Sequence, residues 1–335
     1  MQKLFFLFIL ITTWINLNAH PQIENYIIDN KGVNTFLSLS PSRKYIIYSK
    51  NLRGFDDGNY IKGQVYIFNR EARSSQLLSK DTFDINSVHF QWGKDDNNLY
   101  FLDGKCIYFM SIAEGVKVKP IFKPKSKNEK IDNFFVSNRG KRIICWISNN
   151  KPEKPSKDLV LIDTDKDLYK IPFSIQNEWL PEYIESVATW SSDDKNIYFI
   201  SMYGSLYKMN SSSCEFSKMS DSLEYNLLKN SNSLLYYCKS NKLIINNLEK
   251  SEEHVLLKSE NLSVDYLSIN SDNSIIVSFN DKIMYYDGTK AIAKVLYTTP
   301  SGSKVVYCDR DFFILEENIN DKNKLLQLYY YPSYF

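Results

Sequence analysis

Residues able to perform hydrolytic chemistry are few in this chain, and their spacing does not suit it. A serine hydrolase of the nucleophile-elbow type needs a Ser within G-x-S-x-G, together with a His and an acid. The sequence contains no G-x-S-x-G, and its three histidines are His20, His89 and His254. His89 alternates with apolar neighbours in a strand-like run, where a single histidine is more often structural than catalytic. The sequence therefore predicts no catalytic residue.

Metal-binding patterns are equally scarce. There is no H-E-x-x-H, and the five Cys are widely spaced, with no C-x-x-C pair for zinc or redox chemistry. The segment 318–323 places Lys322 where a calcium loop needs a ligand and has no closing Glu, which favours a solvated loop. No Gly-rich phosphate-binding loop is present. We expect neither a metal nor a cofactor.

One set of polar residues has a regular spacing. Each member lies four to six positions before the first residue of a recurring turn motif, and four of the six are carboxylates. The set is Asn34, Asn86, Asp132, Glu185, Glu224 and Asp265. Carboxylates that converge in space hold a cation, a Lys- or Arg-bearing peptide or a partner's basic segment. The alternative is that each residue simply solvates a loop, so the elements that carry them decide between the two.

The turn motif itself repeats along the chain. Each copy joins an apolar residue, a tight polar turn and a short strand rich in β-branched and aromatic residues. Full copies are LSPSRKYIIYS from Leu39, WGKDDNNLYFL from Trp92, VSNRGKRIICW from Val136 and WSSDDKNIYFI from Trp190. Shorter or degenerate copies start at Leu228, Ile269 and Tyr307. Further strand-like segments follow each copy, and strong helical periodicity is hard to find.

Four short strands in roughly 40–50 residues are typical of one blade of a β-propeller. Seven copies in the 316 residues that follow position 19 give about 45 residues each. We predict an all-β chain that forms a single β-propeller of seven four-stranded antiparallel blades, with six blades as the alternative. The last unit has about three strands, and segment 25–28 is expected to add the fourth, so that both chain ends close the ring. The six spaced polar residues would then lie at the mouth of the central channel.

The turns also carry a family resemblance. The sequences S-P-S-R-K, G-K-D-D-N and S-S-D-D-K resemble the S-P-D-G-K signature of TolB-like exported propellers. The N-terminal propellers of dipeptidyl peptidase IV and prolyl oligopeptidase-type enzymes are similar. The pattern covers most of residues 30–330 and implies an architecture more than a function. Most turns here have Asn or Asp in place of Gly, which is consistent because both tolerate left-handed backbone geometry.

Residues 1–19 have the features of a secretory signal peptide. Lys3 precedes the apolar run LFFLFILITTWI, which is too short to span a bilayer, and Ala19 suits the last position before cleavage. An uncleaved N-terminal anchor is the alternative. The predicted organisation is thus a signal peptide at 1–19 and a propeller domain at 20–335. We expect export to the periplasm or the exterior, with no membrane-spanning segment after cleavage.

The net charge excludes one class of partner, and the cysteine spacing argues against a disulfide framework. With 41 Lys+Arg against 39 Asp+Glu, the net charge of +2 excludes a strongly basic nucleic-acid binder. The five Cys are predicted to be small buried hydrophobes rather than a disulfide framework.

Two functions remain open. One is a non-enzymatic, monomeric propeller that binds a protein or peptide partner through its axial face. The other is a propeller hydrolase, lyase or lactonase, or the detached substrate-gating propeller of a peptidase. A channel-facing His89 or His254 beside a carboxylate would favour the enzyme.

Overall fold

The structure is a computed structural model in which every described element is a β-strand. It describes residues 24–29, 33–51, 62–84, 88–113, 117–149, 156–166, 168–176, 187–201, 204–221, 223–260, 262–270, 272–287, 293–320 and 323–331. These residues form 28 strands arranged as seven four-stranded antiparallel blades. The predicted seven-bladed propeller is confirmed, and six blades are excluded. Within the described residues no helix is long and apolar enough to cross a membrane.

The strands follow one another in chain order within each blade. Blade 1 contains β2 (Val33–Leu39), β3 (Tyr45–Asn51), β4 (Lys62–Asn69) and β5 (Ser74–Asp84). Blade 2 contains β6 (His89–Trp92), β7 (Asn98–Leu102), β8 (Ile107–Ser111) and β9 (Lys117–Phe122). Blade 3 contains β10 (Glu129–Val136), β11 (Arg142–Asn149), β12 (Ser156–Asp163) and β13 (Leu168–Gln176). Blade 4 contains β14 (Ala188–Trp190), β15 (Asn196–Ile200), β16 (Leu206–Asn210) and β17 (Phe216–Ser220).

The second half of the ring repeats this arrangement. Blade 5 contains β18 (Leu223–Ser231), β19 (Leu234–Lys239), β20 (Lys242–Asn247) and β21 (Glu252–Lys258). Blade 6 contains β22 (Val264–Ile269), β23 (Ile275–Phe279), β24 (Lys282–Tyr286) and β25 (Ala293–Thr298). Blade 7 contains β26 (Ser303–Cys308), β27 (Phe312–Asn320), β28 (Asn323–Tyr330) and, as its outer strand, β1 (Glu24–Asp29).

The N-terminal strand closes the ring, as the sequence predicted. β1 pairs antiparallel with β28, from Glu24 opposite Tyr330 to Asp29 opposite Leu326. Ile28 of β1 is 7% exposed and belongs to an apolar cluster that contains side chains of both blade 1 and blade 7. Closure by strands from both chain ends holds the first and last blades together and pairs an edge that would otherwise be open.

The core lies between the blades rather than inside any one of them. The second strand of each blade is apolar on both faces, because each face packs against a neighbouring sheet. Ile46, Ile47 and Tyr48 of β3, for example, are fully buried. Trp190 is also buried, in a cluster shared by blades 3 and 4. None of the five Cys forms a disulfide, and four are buried as predicted, whereas Cys214 is partly exposed.

The chain order of the antiparallel strands gives the ring two distinct faces. The face where the innermost strands begin carries the inter-blade connections and the turns between second and third strands; we call it the mouth face. It includes residues 103–106, 123–128, 201, 204–205, 240–241, 280–281 and 299–302. The opposite face carries the turns between first and second strands; we call it the brace face. It includes residues 40–44, 93–97, 137–141, 191–195 and 309–311.

Candidate functional site

Three of the six predicted channel-mouth residues have described side chains. Asn34 lies in β2, Asp132 in β10 and Asp265 in β22, each of which is the innermost strand of its blade. Glu224 lies in the innermost strand β18, but its side chain is outside the described part of the chain. Asn86 and Glu185 lie outside the described residues altogether.

Asn34 is a structural residue of the ring closure. It is fully buried, and its Nδ2 donates hydrogen bonds to the carbonyl oxygens of Asp29 at 3.1 Å and Lys324 at 3.2 Å. These bonds tie β2 to the end of the N-terminal strand and to β28. A buried amide that is used in this way stabilises the seam and is not presented to a ligand.

Two β-bulges place the aspartates of the set. The pairing of β10 with β11 shifts register between Ile131 and Asn133, so Asp132 is the extra residue. The pairing of β22 with β23 shifts in the same way around Asp265. A bulge re-aims one side chain relative to its neighbours in the strand. Corresponding carboxylates in blades 3 and 6 are thus set apart from the regular alternation of their strands.

Asp132 is already paired within its own blade. Its Oδ2 lies 3.3 Å from Nζ of Lys157 and accepts a hydrogen bond from Ser148 Oγ. The side chains of Asp132 and Lys157 are 23% and 12% exposed, so water screens this pair only partly. The negative charge of Asp132 is therefore largely compensated before any ligand arrives.

Asp265 is less compensated. Its side chain is exposed, yet the protein atoms around it replace enough water to raise the pKa of its carboxyl above the ordinary value. The positive charge of Lys304 opposes this shift without reversing it. Asp265 is thus the described member of the set whose carboxylate remains most available.

Three other acids on or near this face pair with lysines. Asp29 binds Lys50 at 2.7 Å, Asp221 binds Lys218 at 2.6 Å, and Glu316 binds Lys324. The mouth face therefore combines both charges, where the sequence predicted a mainly acidic ring. The prediction that the set binds a partner is tested by none of these contacts and stays a prediction.

A cavity of about 810 Å³ opens on the mouth face between blades 1, 2 and 3. Its described lining residues come from the end of β5, the β7–β8 turn and the β9–β10 connection. They are Asp84, Asp103, Gly104, Lys105, Lys123, Pro124, Ser126, Lys127, Glu129 and Lys130. Gly104 has a φ of 86°, a left-handed conformation that its missing Cβ permits in this tight turn.

The acids of this cavity are engaged by the loops that hold them. Asp103 accepts hydrogen bonds from the backbone N–H groups of Lys105 and Cys106 through Oδ1, and from the Tyr108 hydroxyl through Oδ2. Glu129 Oε2 accepts a hydrogen bond from the backbone N–H of Ser126 at 3.1 Å. These bonds shape the two loops, because a carboxylate that accepts backbone N–H groups fixes the local turn.

The cavity lysines, in contrast, are uncommitted. Lys105, Lys123, Lys127 and Lys130 are all exposed, and none of them forms an ion pair with another described residue. The sequence motifs did not predict this site. The feature of the sequence that could have indicated it is the lysine-rich run KVKPIFKPKSKNEK at 117–130, which has no counterpart in the other repeats.

Lys229 is another residue that pattern reasoning missed. It lies in β18 and reaches across to blade 6, where Nζ donates to the carbonyl oxygen of Leu267 at 2.7 Å and sits 4.3 Å from the ring centre of Tyr266. Burial lowers the pKa of Lys229 to about 8, because the charged form is poorly solvated there. At the same register in blade 2, Gln91 donates to the carbonyl of Phe134 at 2.6 Å. These side chains link successive innermost strands.

The two histidines of the propeller lie in different parts of the ring. His254 is in β21, an outer strand, and its side chain is 68% exposed, so it lies away from the axis. His89 opens the innermost strand β6 and is half-buried. Among the residues that the structure describes, no group of three His, Cys, Asp or Glu side chains has the proximity of a metal site.

No family model matches this chain, and no curated protein matches it. Solved structures do share its fold. An oligogalacturonate lyase in complex with manganese aligns with a TM-score of 0.65 at 12% identity, covering 93% of this chain and 96% of the lyase. Dipeptidyl peptidase 4 of Porphyromonas gingivalis aligns with a TM-score of 0.56 at 9% identity, covering 84% of this chain and 48% of the peptidase.

A third similar structure concerns ring closure. The propeller domain of the Trilobed protease from Pyrococcus furiosus aligns with a TM-score of 0.58 at 12% identity, over 88% of this chain and 95% of that domain. That domain is described as having an open velcro topology, whereas β1 closes the ring here. The predicted resemblance to peptidase propellers is confirmed for the fold. At identities of 9–12%, these similarities show a shared fold and do not assign a function.

Proposed function

We propose that this protein is an exported binding propeller that holds a protein or peptide partner on its mouth face. The observation that carries the proposal is the cavity between blades 1, 2 and 3, whose four lysines have no ion-pair partner among the described residues. A concave site lined by uncommitted charges attracts and orients a ligand of complementary charge.

The opposite face supports this assignment by contrast. Its polar side chains bind neighbouring turns of the ring to one another, as with Asp194 of blade 4 and the backbone of Asn138 and Arg139 in blade 3. Export remains part of the proposal and rests on residues 1–19, which lie outside the described residues. The site would face the periplasm or the exterior.

The test locates the contact on the ring before the partner is identified. The C-terminally tagged full-length protein, processed by its own cells, is treated with an amine-reactive cross-linker in the cell envelope and analysed by mass spectrometry. Partner cross-links are expected at Lys105 and Lys127 of the mouth face rather than at Lys141 and Lys195 of the brace face. Cross-links confined to the brace-face lysines would overturn the proposal.

Matched bulky substitutions provide a second readout. Asn128→Trp adds an aromatic ring at an exposed position of the mouth face, and Ser192→Trp adds the same ring at an exposed position of the brace face. We expect Asn128→Trp to reduce partner recovery by about tenfold or more, a binding loss of about 1.4 kcal/mol. Ser192→Trp should leave recovery unchanged. Equal recovery with both variants would contradict a mouth-face site.

A second candidate function is catalysis, and two observations favour it. The oligogalacturonate lyase structure aligns with nearly the whole chain, and His89 lies on an innermost strand. The assay incubates the protein with oligogalacturonate, with and without manganese, and follows the unsaturated product of β-elimination by ultraviolet absorbance. The binding proposal predicts no turnover above a buffer control. If the protein turns over oligogalacturonate and the His89→Ala variant does not, the protein is an enzyme and the binding proposal is wrong.

A further inference from the structure

The blade 2–blade 3 connection has a charge unlike the rest of the chain. Residues 117–130 contain six Lys and one Glu, a net charge of +5, while the whole chain has a net charge of only +2. The remaining residues are therefore net negative by three charges, since 2 − 5 = −3. This segment is a local basic feature in an otherwise slightly acidic protein.

The fold gathers this charge around one cavity. Its lining includes Lys123 and Lys127 of the connection, Lys130 at the start of β10 and Lys105 of the β7–β8 turn. Like charges held at a concave surface repel one another, and low-dielectric walls focus their field into the cavity. Asp84, Asp103 and Glu129 of the wall offset part of this field, and the four lysines outnumber them.

The types of residue in the wall indicate the ligand. The positive charges are all lysines, which act as compact point charges, and the described wall contains no arginine whose planar fork would chelate a phosphate. It also contains no aromatic ring on which a sugar would stack. Separate ammonium groups spread over two loops suit several separate carboxylates along one flexible chain.

We propose that this cavity, which we call the lysine cavity, binds an acidic peptide segment whose Asp or Glu side chains pair with Lys105, Lys123, Lys127 and Lys130. The inference rests on the proposed function and specifies the partner's chemistry. The segment would lie across the mouth face between blades 1 and 3, where a volume of about 810 Å³ has the size of sites that enclose small ligands.

The direct test uses a defined probe. Binding of fluorescein-labelled hexaglutamate to the full protein is followed by fluorescence anisotropy at low and moderate salt. The cavity variant combines Lys105→Ser, Lys127→Ser and Lys130→Ser. The matched control combines Lys208→Ser, Lys258→Ser and Lys282→Ser, three exposed lysines of blades 4, 5 and 6 that form no ion pair with described residues. Both variants lose the same net charge.

We expect the cavity variant to weaken hexaglutamate binding by about tenfold or more and the control by less than about twofold, because only the first set converges. Equal losses in the two variants would show diffuse attraction and overturn the inference.

Hexagalacturonate and inorganic phosphate serve as competitors. If hexagalacturonate binds more tightly than hexaglutamate and loses its affinity in the cavity variant, the site is a saccharide site and the peptide assignment is wrong. Full displacement by millimolar phosphate would equally overturn it.

The experiments distinguish failure of the acidic-peptide inference from failure of the proposed function. Cross-links that remain on the mouth face in the cavity variant, with undiminished partner recovery, would leave the binding propeller intact and remove the acidic-peptide inference. Hexaglutamate binding to the lysine cavity, combined with partner cross-links on the brace face alone, would support the site chemistry and overturn the proposed function. Circular dichroism and thermal unfolding of both variants check that each remains folded.

Discussion

On the brace face Asp194 accepts three hydrogen bonds from blade 3, from the Asn138 backbone N–H at 2.8 Å, its Nδ2 at 2.9 Å and the Arg139 N–H at 2.9 Å. On the mouth face Lys127 is exposed and forms no ion pair with a described residue. Both residues lie in exposed loops and carry one charge. Only one of the charges is used to hold the ring together.

The same contrast holds around the ring. On the brace face Asp96 of blade 2 accepts from Ser42 of blade 1, Asp272 of blade 6 pairs with Arg310 of blade 7 at 2.8 Å, and Arg43 pairs with Asp311 at 2.7 Å. On the mouth face the described ion pairs lie within a blade or at the ring seam, as with Asp132 and Lys157. Polar residues of the brace face thus lock blade to blade, whereas the described ion pairs of the mouth face do not, apart from those at the seam.

The largest expected effect concerns the seam, on which both faces depend. Ile28→Ala removes a buried side chain between blades 1 and 7 and should lower the free energy of unfolding by about 2–5 kcal/mol. The control is Ile27→Ala, the next residue of the same strand, whose side chain is 44% exposed. It should cost less than about 0.5 kcal/mol. Urea unfolding followed by tryptophan fluorescence measures both, and equal small losses would argue against closure by β1.

A smaller effect separates the two faces. Asp194→Asn keeps a residue that tolerates the φ of 61° but removes the charge that accepts three hydrogen bonds. It should lower the free energy of unfolding by about 1–2 kcal/mol and leave partner binding unchanged. Lys127→Ser should show the opposite behaviour, with stability within about 0.5 kcal/mol of the parent and weaker binding of hexaglutamate. A stability loss at Lys127 equal to that at Asp194 would remove the distinction.

The smallest expected effect is a pH dependence of opposite sign on the two faces. On the brace face the Ser274 hydroxyl and backbone N–H, followed by Arg310, hold the pKa of Asp272 below its usual value. Its ionised form therefore stabilises the fold at neutral pH, and this contribution is lost as the pH falls through the folded-state pKa. On the mouth face the pKa of Asp265 is raised by burial, so its contribution is present at low pH and is lost as the pH rises through that pKa.

The measurement compares urea unfolding of Asp272→Asn and Asp265→Asn with the parent at pH 3 to 7. Asp272→Asn should be less stable than the parent at neutral pH, with a difference that shrinks on acidification. Asp265→Asn should be more stable than the parent at neutral pH, with a difference that also shrinks on acidification. Neutral-pH differences of the same sign would contradict the assignment.

Much of the architecture is encoded in short segments of sequence. The apolar runs that become β3, β7, β11 and β15, and the polar turns before them, identify the blades one by one. Turn chemistry is local too, and Asp194 and Asn273 adopt the left-handed conformation expected where glycine is missing. Arg43 adopts it as well, with a φ of 64°, although nothing in its residue type suggests that.

The sequence by itself determined the strand periodicity and the repeating turns, because both follow from local alternation and turn geometry. It predicted seven blades with six as the alternative, and a closing role for residues 25–28, and the structure decided for seven blades closed by β1. Only the tertiary structure decided which charges meet. Asp132 finds Lys157 two strands away, and Lys229 reaches Leu267 in the next blade. Such contacts depend on bulges and on how neighbouring sheets face one another, which residue order does not specify. The lysine cavity has the same origin, since two loops separated by β8 and β9 enclose it together with Asp84 of blade 1.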